Sequence, residues 1–233
     1  MILSDKTLAR IAGLLYLFVI ATGLFAEVFV RQALRVPGNA MATAHKIQAS
    51  EQLFRLGLVA DLINFILGLP CVLIIYILFK HVNKWLASLA LIFVIIQTAI
   101  IAVNLLNQIT PLLYLENDVY LQSFSPQQLA TLSLLSLNTQ AQGYGIGLVF
   151  FGVYCLIVGY LVFKSKRVPA IIGILYVLSG LCYLVNSFTM LLSANFSNPL
   201  FVYLAVPIFI GELSFCLWLL IAGVKPAYEK IER

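Results

Sequence analysis

Six apolar runs, each long enough to cross a lipid bilayer, restrict what this chain can fold into more than any other feature. A transmembrane helix needs about 20 apolar residues, and a segment surrounded by lipid must satisfy its backbone groups internally. The sequence therefore predicts an all-α, polytopic membrane protein, a single integral domain at 1–233 that forms a bundle of six transmembrane helices. The predicted spans are about 8–30, 53–79, 86–114, 140–163, 169–192 and 200–224.

The composition agrees with this class and argues against others. Of 233 residues, 62% are hydrophobic and 10% are charged, whereas soluble domains carry about 25% charged residues. The formal net charge is +5, but the basic residues lie at the ends of the apolar runs. They form no patch interleaved with aromatic residues, as nucleic-acid binding would require. The expected partner is therefore the lipid bilayer and not nucleic acid, and the sequence indicates no oligomeric state.

Lysine and arginine are distributed unequally between the two sides of the predicted bundle. Ten of the 14 lie at the amino terminus, at the turns 80–84 and 164–167, or in the carboxy-terminal tail. The other four are Arg31, Arg35, Lys46 and Arg55. The side with more basic residues is the cytoplasmic one. Both termini are therefore predicted to be cytoplasmic, in a multi-pass protein of the plasma membrane.

A short helix is predicted between spans one and two. After the Pro-Gly break at 37–38, Asn39 can cap a helix that places Met41, Ala44 and Ile47 on one face. An apolar face of this kind is typical of a segment that lies on the membrane surface, here the outer surface.

Two patterns describe the fourth span. Ser125, Pro126 and Gln128 form a capping signature, which predicts that a helix begins there, well before the apolar run. Glycines spaced by four or seven residues predict that one side of this helix packs closely against a neighbour. These glycines are Gly143, Gly145, Gly147, Gly152 and Gly159.

Acidic and amide side chains interrupt the apolar runs. Counted from the cytoplasmic end of each run at about 1.5 Å per residue, most of them fall in one layer in the outer half of the membrane, and Glu212 lies nearer the midplane. Charges in a membrane are costly and face the bundle interior, so the layer predicts a polar pocket that opens outward. The candidate ligand-binding or proton-exchanging residues are Asp61, Glu212, Asn64, Asn104, Asn186, Arg55 and Glu27.

Two interpretations of this layer are open. In the first, Asp61 and Glu212 bind a small polar or cationic ligand, or exchange protons, and the asparagines supply Asp61 with uncharged partners. In the second, the layer is a structural network in which Arg55 or Arg31 neutralises an acid and the amides fix helix register. Charge spacing also predicts two local pairs, Glu27 with Arg31 and Glu51 with Arg55, each one helical turn apart.

The function classes follow from these interpretations. The first is a small transporter or ligand-binding membrane protein, and the second is an accessory, sensor or scaffold protein. An intramembrane enzyme is the weakest of the three, because the sequence contains no G-x-S-x-G, H-E-x-x-H, C-x-x-C or Walker motif. The four cysteines and two histidines have no metal-binding spacing, so no metal site, cofactor or catalytic residue is predicted.

An internal repeat is also indicated. Residues 11–17 and 171–177 agree at isoleucine, glycine, leucine and tyrosine. Each segment is followed by a helix with an acid before leucine, at Asp61 and at Glu212. This pattern suggests that the first and third helical hairpins are duplicates.

Four short motifs, spread over nearly the whole chain, carry a resemblance to a known family. They lie at 10–16, at 49–57 with Asp61, at 143–152 and at 210–214. With these motifs the chain resembles domain-of-unknown-function family 4386, a group of uncharacterised bacterial membrane proteins. The resemblance implies a multi-helix membrane protein and brings no activity, substrate or catalytic residue.

Cysteine labelling tests the predicted orientation. In a variant without the four native cysteines, Gly38→Cys and Gln122→Cys should react with an impermeant maleimide in intact cells, because both positions are predicted to lie outside. Lys166→Cys should react only after permeabilisation. Labelling of Lys166→Cys in intact cells would overturn the orientation.

Overall fold

The computed structural model describes residues 3–116, 122–193 and 200–225, and these residues form helices and no strand. Six of the helices are long and apolar enough to cross a membrane, which confirms the predicted all-α, six-span class. The side on which the termini and the short helix lie, and the plasma membrane as location, stay predictions. Lys230 and Arg233, which were counted on the cytoplasmic side, lie outside the described residues.

The helices follow one another with short connections. The first span is α1 (Asp5–Leu24), which continues without a break as a π-helical segment (Phe25–Gln32). The short helix is α2 (Ala40–Ala49). The other five spans are α3 (Glu51–Phe79), α4 (Lys84–Leu115), α5 (Pro126–Ser165), α6 (Ala170–Leu192) and α7 (Phe201–Ile221).

Two helix starts occur where the sequence predicts them. Asn39 Oδ1 accepts a hydrogen bond from the Ala42 amide at 2.9 Å and caps α2. Ser125 and Gln128 form a reciprocal capping box at the start of α5. At 40 residues, α5 is about 60 Å long, roughly twice the thickness of the hydrocarbon core. It therefore extends well beyond the membrane or crosses it at a strong tilt.

The six spans form a closed ring in chain order. Each span packs against the next, from α1 and α3 through to α6 and α7, and α7 packs back against α1. Buried aromatic side chains from five of the helices occupy the middle of one large apolar core: Tyr16, Phe79, Tyr154, Tyr176 and Phe215. This core fills the half of the bundle that contains the turns at 80–84 and 164–167.

The glycines of α5 pack against two neighbouring helices, α4 and α6. A Cβ atom built on Gly159 would lie 2.8 Å from the Gly173 carbonyl oxygen of α6, and one on Gly152 would lie 3.0 Å from the Gly180 oxygen. Gly143, by contrast, packs against the Asn104 side chain of α4. The predicted close packing is present, but it occurs on two faces of the helix, because α5 lies between α4 and α6 in the ring.

The two tyrosines at matched positions of the suggested repeat meet in the middle of the bundle. The Tyr16 and Tyr176 hydroxyls lie 2.9 Å apart, and either can donate to the other. Both side chains are buried. The hydrogen bond helps to satisfy two hydroxyls that are buried away from water. The repeat itself stays a prediction.

Arg167 closes the end of the bundle that is predicted to be cytoplasmic. It is 4% exposed, and each of its three side-chain nitrogens has a partner. Nη2 contacts Asp5 Oδ2 at 2.5 Å, Nη1 donates to the Leu78 oxygen at 2.9 Å, and Nε donates to the Lys225 oxygen at 2.6 Å. One guanidinium thereby joins the start of α1, the end of α3 and the chain after α7.

Removal of this arginine should weaken the fold. We expect Arg167→Ala to lower the free energy of unfolding by at least about 2 kcal/mol, because the oxygen of the buried Leu78 loses its donor and three parts of the bundle lose their common contact. The measurement is unfolding in detergent micelles. Lys164→Ala, at an exposed position three residues earlier, is the control, and equal stability of the two variants would contradict the assigned role.

Candidate binding site

Arg31 lies at the centre of a polar cluster at the other end of the bundle. Its side chain is 10% exposed. Nε contacts Glu27 Oε2 at 2.7 Å, Nη1 contacts Asp61 Oδ2 at 2.6 Å, and Nη1 also donates to Gln108 Oε1 at 3.4 Å. The guanidinium carbon lies 5.3 Å from the centre of the Tyr144 ring, within the range of a cation–π contact. These five residues, called the Arg31 cluster below, join the π-helical end of the first span to α3, α4 and α5.

The π-helical segment contributes two of these residues. A π-helix forms i→i+5 hydrogen bonds and carries an extra residue relative to an α-helix, a feature that is frequent at functional sites. Here Glu27 accepts from Arg31, four residues on, and from Gln32 Nε2, five residues on, at 3.0 Å. The predicted Glu27–Arg31 pair is confirmed. The π-helix that presents it was not predicted.

Asp61 has a charged partner, which corrects the expectation that its neighbours are uncharged. Its side chain is 4% exposed and pairs with Arg31. Asn64 instead donates to the Val19 oxygen at 2.6 Å, and Asn104 donates to the Gln140 oxygen at 2.7 Å. Equal height in the membrane did not bring these amides to Asp61, because each uses its donor on a neighbouring helix backbone.

The remaining predicted site residues lie elsewhere. Glu212 accepts a hydrogen bond from the Tyr183 hydroxyl between α7 and α6, and Asn186 is buried on α6. Within the part of the chain that the structure describes, no hydrogen bond or ion pair links Glu212 to Asp61. The two acids therefore belong to separate groups, one bonded to an arginine and one to a tyrosine.

Arg55 does not neutralise an intramembrane acid. It is 47% exposed and contacts Glu51 Oε1 at 2.7 Å and Glu116 Oε1 at 3.7 Å. The predicted Glu51–Arg55 pair at the helix mouth is confirmed. Of the two arginines considered as partners of Asp61, Arg31 has that role.

A small cavity adjoins the Arg31 cluster. Its volume is about 20 Å³, sufficient for one particle of the size of water. Two arginines and one glutamine face it together with apolar side chains; the lining residues are Arg31, Leu34, Arg35, Phe54, Leu137 and Gln140. Leu34, Phe54 and Leu137 belong to a second apolar core at this end of the bundle.

Three buried nitrogens in this region have no hydrogen-bond partner among the described residues: Arg31 Nη2, Arg35 Nε and Gln108 Nε2. All three are donors. Arg35 does use another nitrogen, Nη2, to donate to Asn138 Oδ1 at 2.6 Å. Burial lowers the pKa of Arg35, and the charge of Glu27 opposes that shift. The cluster thus holds more buried donors than the described protein atoms satisfy.

Comparison with known proteins gives a family and no activity. A family model described as "Domain of unknown function (DUF4386)" matches residues 11–223, nearly the whole chain. An uncharacterised protein of Archaeoglobus fulgidus is 30% identical over 80 residues, which are 34% of this chain and 46% of that protein. The match thus covers about half the length of this relative. The relative is archaeal, so a bacterial source stays a prediction.

No solved structure matches the chain. The family match covers the helices that carry the Arg31 cluster and the motifs on which the resemblance rests. The chain therefore belongs to the DUF4386 family.

Proposed function

We propose that this integral membrane protein binds a small polar solute at the Arg31 cluster and its cavity, as a ligand-binding protein or transporter. One observation carries the proposal. Arg31 is buried at the end of a membrane span, bonds two carboxylates, and still has a nitrogen without a partner beside a cavity. Ionisable groups placed within membrane spans are typically retained for function.

Arg167 provides a comparison within the same molecule. Both arginines are buried and both join several helices. Every side-chain nitrogen of Arg167 has a protein partner, as expected for an arginine that only holds helices together. Arg31, in contrast, has one side-chain nitrogen, Nη2, without a partner among the described residues. The difference supports a role for Arg31 beyond that of a structural clamp.

The packing supports access from the end that is predicted to be outer. The aromatic core fills the other half of the bundle, and Arg167 closes its far end. The Arg31 cavity holds only one water-sized particle, so a larger solute requires the outer ends of the helices to separate. In a transporter, that separation would alternate with an opening at Arg167.

A second candidate function rests on the 2.6 Å contact between Arg31 and Asp61. This contact favours an accessory, sensor or scaffold protein in which the cluster is only structural. The two candidates differ in what they require of the ion pair. A structural pair must be needed for stability, whereas a binding pair is retained even though an apolar pair would stabilise the fold as well or better.

Single and double substitutions separate these candidates. We expect Asp61→Asn to lower the free energy of unfolding by about 3 kcal/mol or more, because it leaves the Arg31 charge poorly compensated. The double variant Arg31→Met, Asp61→Leu should regain most of that loss. Arg55→Ala, at the exposed pair, should change stability by less than about 1 kcal/mol.

The measurement is unfolding in detergent for the parent and the three variants. A double variant as unstable as Asp61→Asn would show that the pair is required by the fold. That result would support the structural candidate.

Solute binding is tested directly by thermal unfolding of the purified full-length chain. The panel consists of sodium chloride, sodium acetate, glycine, glucose and choline chloride, each compared with sodium gluconate at equal ionic strength. A solute at about 100 times its Kd stabilises the native state by about 2.7 kcal/mol. We expect a saturable rise in Tm with at least one solute for the parent, and none for the double variant. A panel without any saturable effect would contradict the proposed function.

A further inference from the structure

We infer that the solute bound at the Arg31 cluster is a small monovalent anion, such as a halide or the carboxylate of a short organic acid. This inference rests on the proposed function and names the chemical class of its ligand. The geometry that points to it is a pair of buried donors, Arg31 Nη2 and Arg35 Nε, which have no acceptor among the described residues and belong to the two guanidinium groups that line the cavity.

The sign of the ligand follows from how the cluster uses its charges. The carboxylates of Glu27 and Asp61 are both engaged by Arg31, through Nε and Nη1. A cation would therefore have to compete with a guanidinium already 2.6 Å from Asp61. An anion meets no such competitor among the described residues, because none of them accepts a hydrogen bond from Arg31 Nη2 or Arg35 Nε.

The charge of Arg35 leads to the same conclusion. Among the described residues its side-chain hydrogen bond goes to the neutral Asn138 side chain and not to a carboxylate. Its guanidinium is half-buried, and the charge of Glu27 offsets only part of the effect of burial, since the pKa of Arg35 remains lowered. A monovalent anion at this position would compensate the charge of Arg35.

The size of the site limits the anion. A volume of about 20 Å³ corresponds to a particle near the size of water, which suits chloride or the head of a short carboxylate. Leu34, Phe54 and Leu137 form the apolar part of the wall. A strongly hydrated, multiply charged ion such as phosphate would lose its water there without replacement hydrogen bonds, so the site disfavours it.

Anion binding can be separated from solute binding in general with variants of Arg35. Arg35→Gln removes the charge and keeps a hydrogen-bonding side chain, and it leaves the Arg31–Asp61 pair intact. Arg10→Gln removes one exposed charge near the far end of the bundle, where Arg10 Nη2 contacts the Ile221 oxygen at 3.4 Å. The two variants have the same net charge, so a general effect of charge acts on both alike.

Thermal unfolding of the full-length chain in maltoside is measured against sodium chloride, sodium nitrate, sodium acetate and choline gluconate, with sodium gluconate keeping ionic strength constant. We expect a saturable rise in Tm with chloride, nitrate or acetate for the parent and for Arg10→Gln. In Arg35→Gln the affinity should fall about tenfold or more, because a charge-assisted hydrogen bond is lost. A rise in Tm with chloride but not with acetate would identify the ligand as an inorganic anion. A rise with acetate but not with chloride would identify it as a carboxylate.

Each other outcome overturns a defined part of the inference. A saturable effect of choline or of glycine without any effect of anions would keep the site and reject its anionic class. An anion effect of equal size in Arg35→Gln would show a general salt effect and reject the site. No saturable effect of any solute would reject the proposed function together with this inference.

Discussion

The ion pair of Arg31 with Asp61 determines how the outer ends of the first spans meet. A carboxylate that is 4% exposed within a span is tolerated only with a partner of opposite charge or a full set of donors. Arg31 supplies that charge from the end of the first span, and it also reaches Gln108 on α4. One guanidinium therefore connects three helices, and a small cavity lies beside it.

The opposite end of the bundle also contains a buried arginine, but its contacts are of a different kind. Arg167 binds two backbone oxygens and Asp5, each with a different nitrogen. A guanidinium with every nitrogen bonded holds its neighbours in one arrangement. At the Arg31 end, buried donors remain that no described residue accepts from, which leaves room for an acceptor from outside. Both ends thus contain a buried arginine, and they differ in whether every side-chain nitrogen of that arginine has a hydrogen-bond acceptor among the described residues.

Much of the fold could be predicted from the sequence, because length and hydrophobicity determine spans and because Asn39 and Ser125 are strong capping residues. The candidate site was predicted less well. Residue counting gives the height of Asp61 in the membrane and the helix face it occupies, but not the distance to side chains on other helices. The spacing of Glu27 and Arg31 indicated their pair, yet nothing in the sequence indicated the π-helix that directs it toward Asp61. Arg167 was counted only as a topology signal, since a basic turn gives no sign of burial.

The π-helical segment has a consequence for how sequences of this family should be aligned. Because such a segment carries one residue more than an α-helix would, a relative with a single deletion between Gly23 and Ala33 would not have lost part of a loop. A one-residue gap in this stretch would remove the extra residue, convert the π-helical segment to an α-helix and leave the outer end of the span facing the same way. In such a relative, the arginine that faces the position of Asp61 would stand at column 31 or at column 30, depending on where the gap is placed, and a missing arginine at column 31 would not by itself mean a missing site.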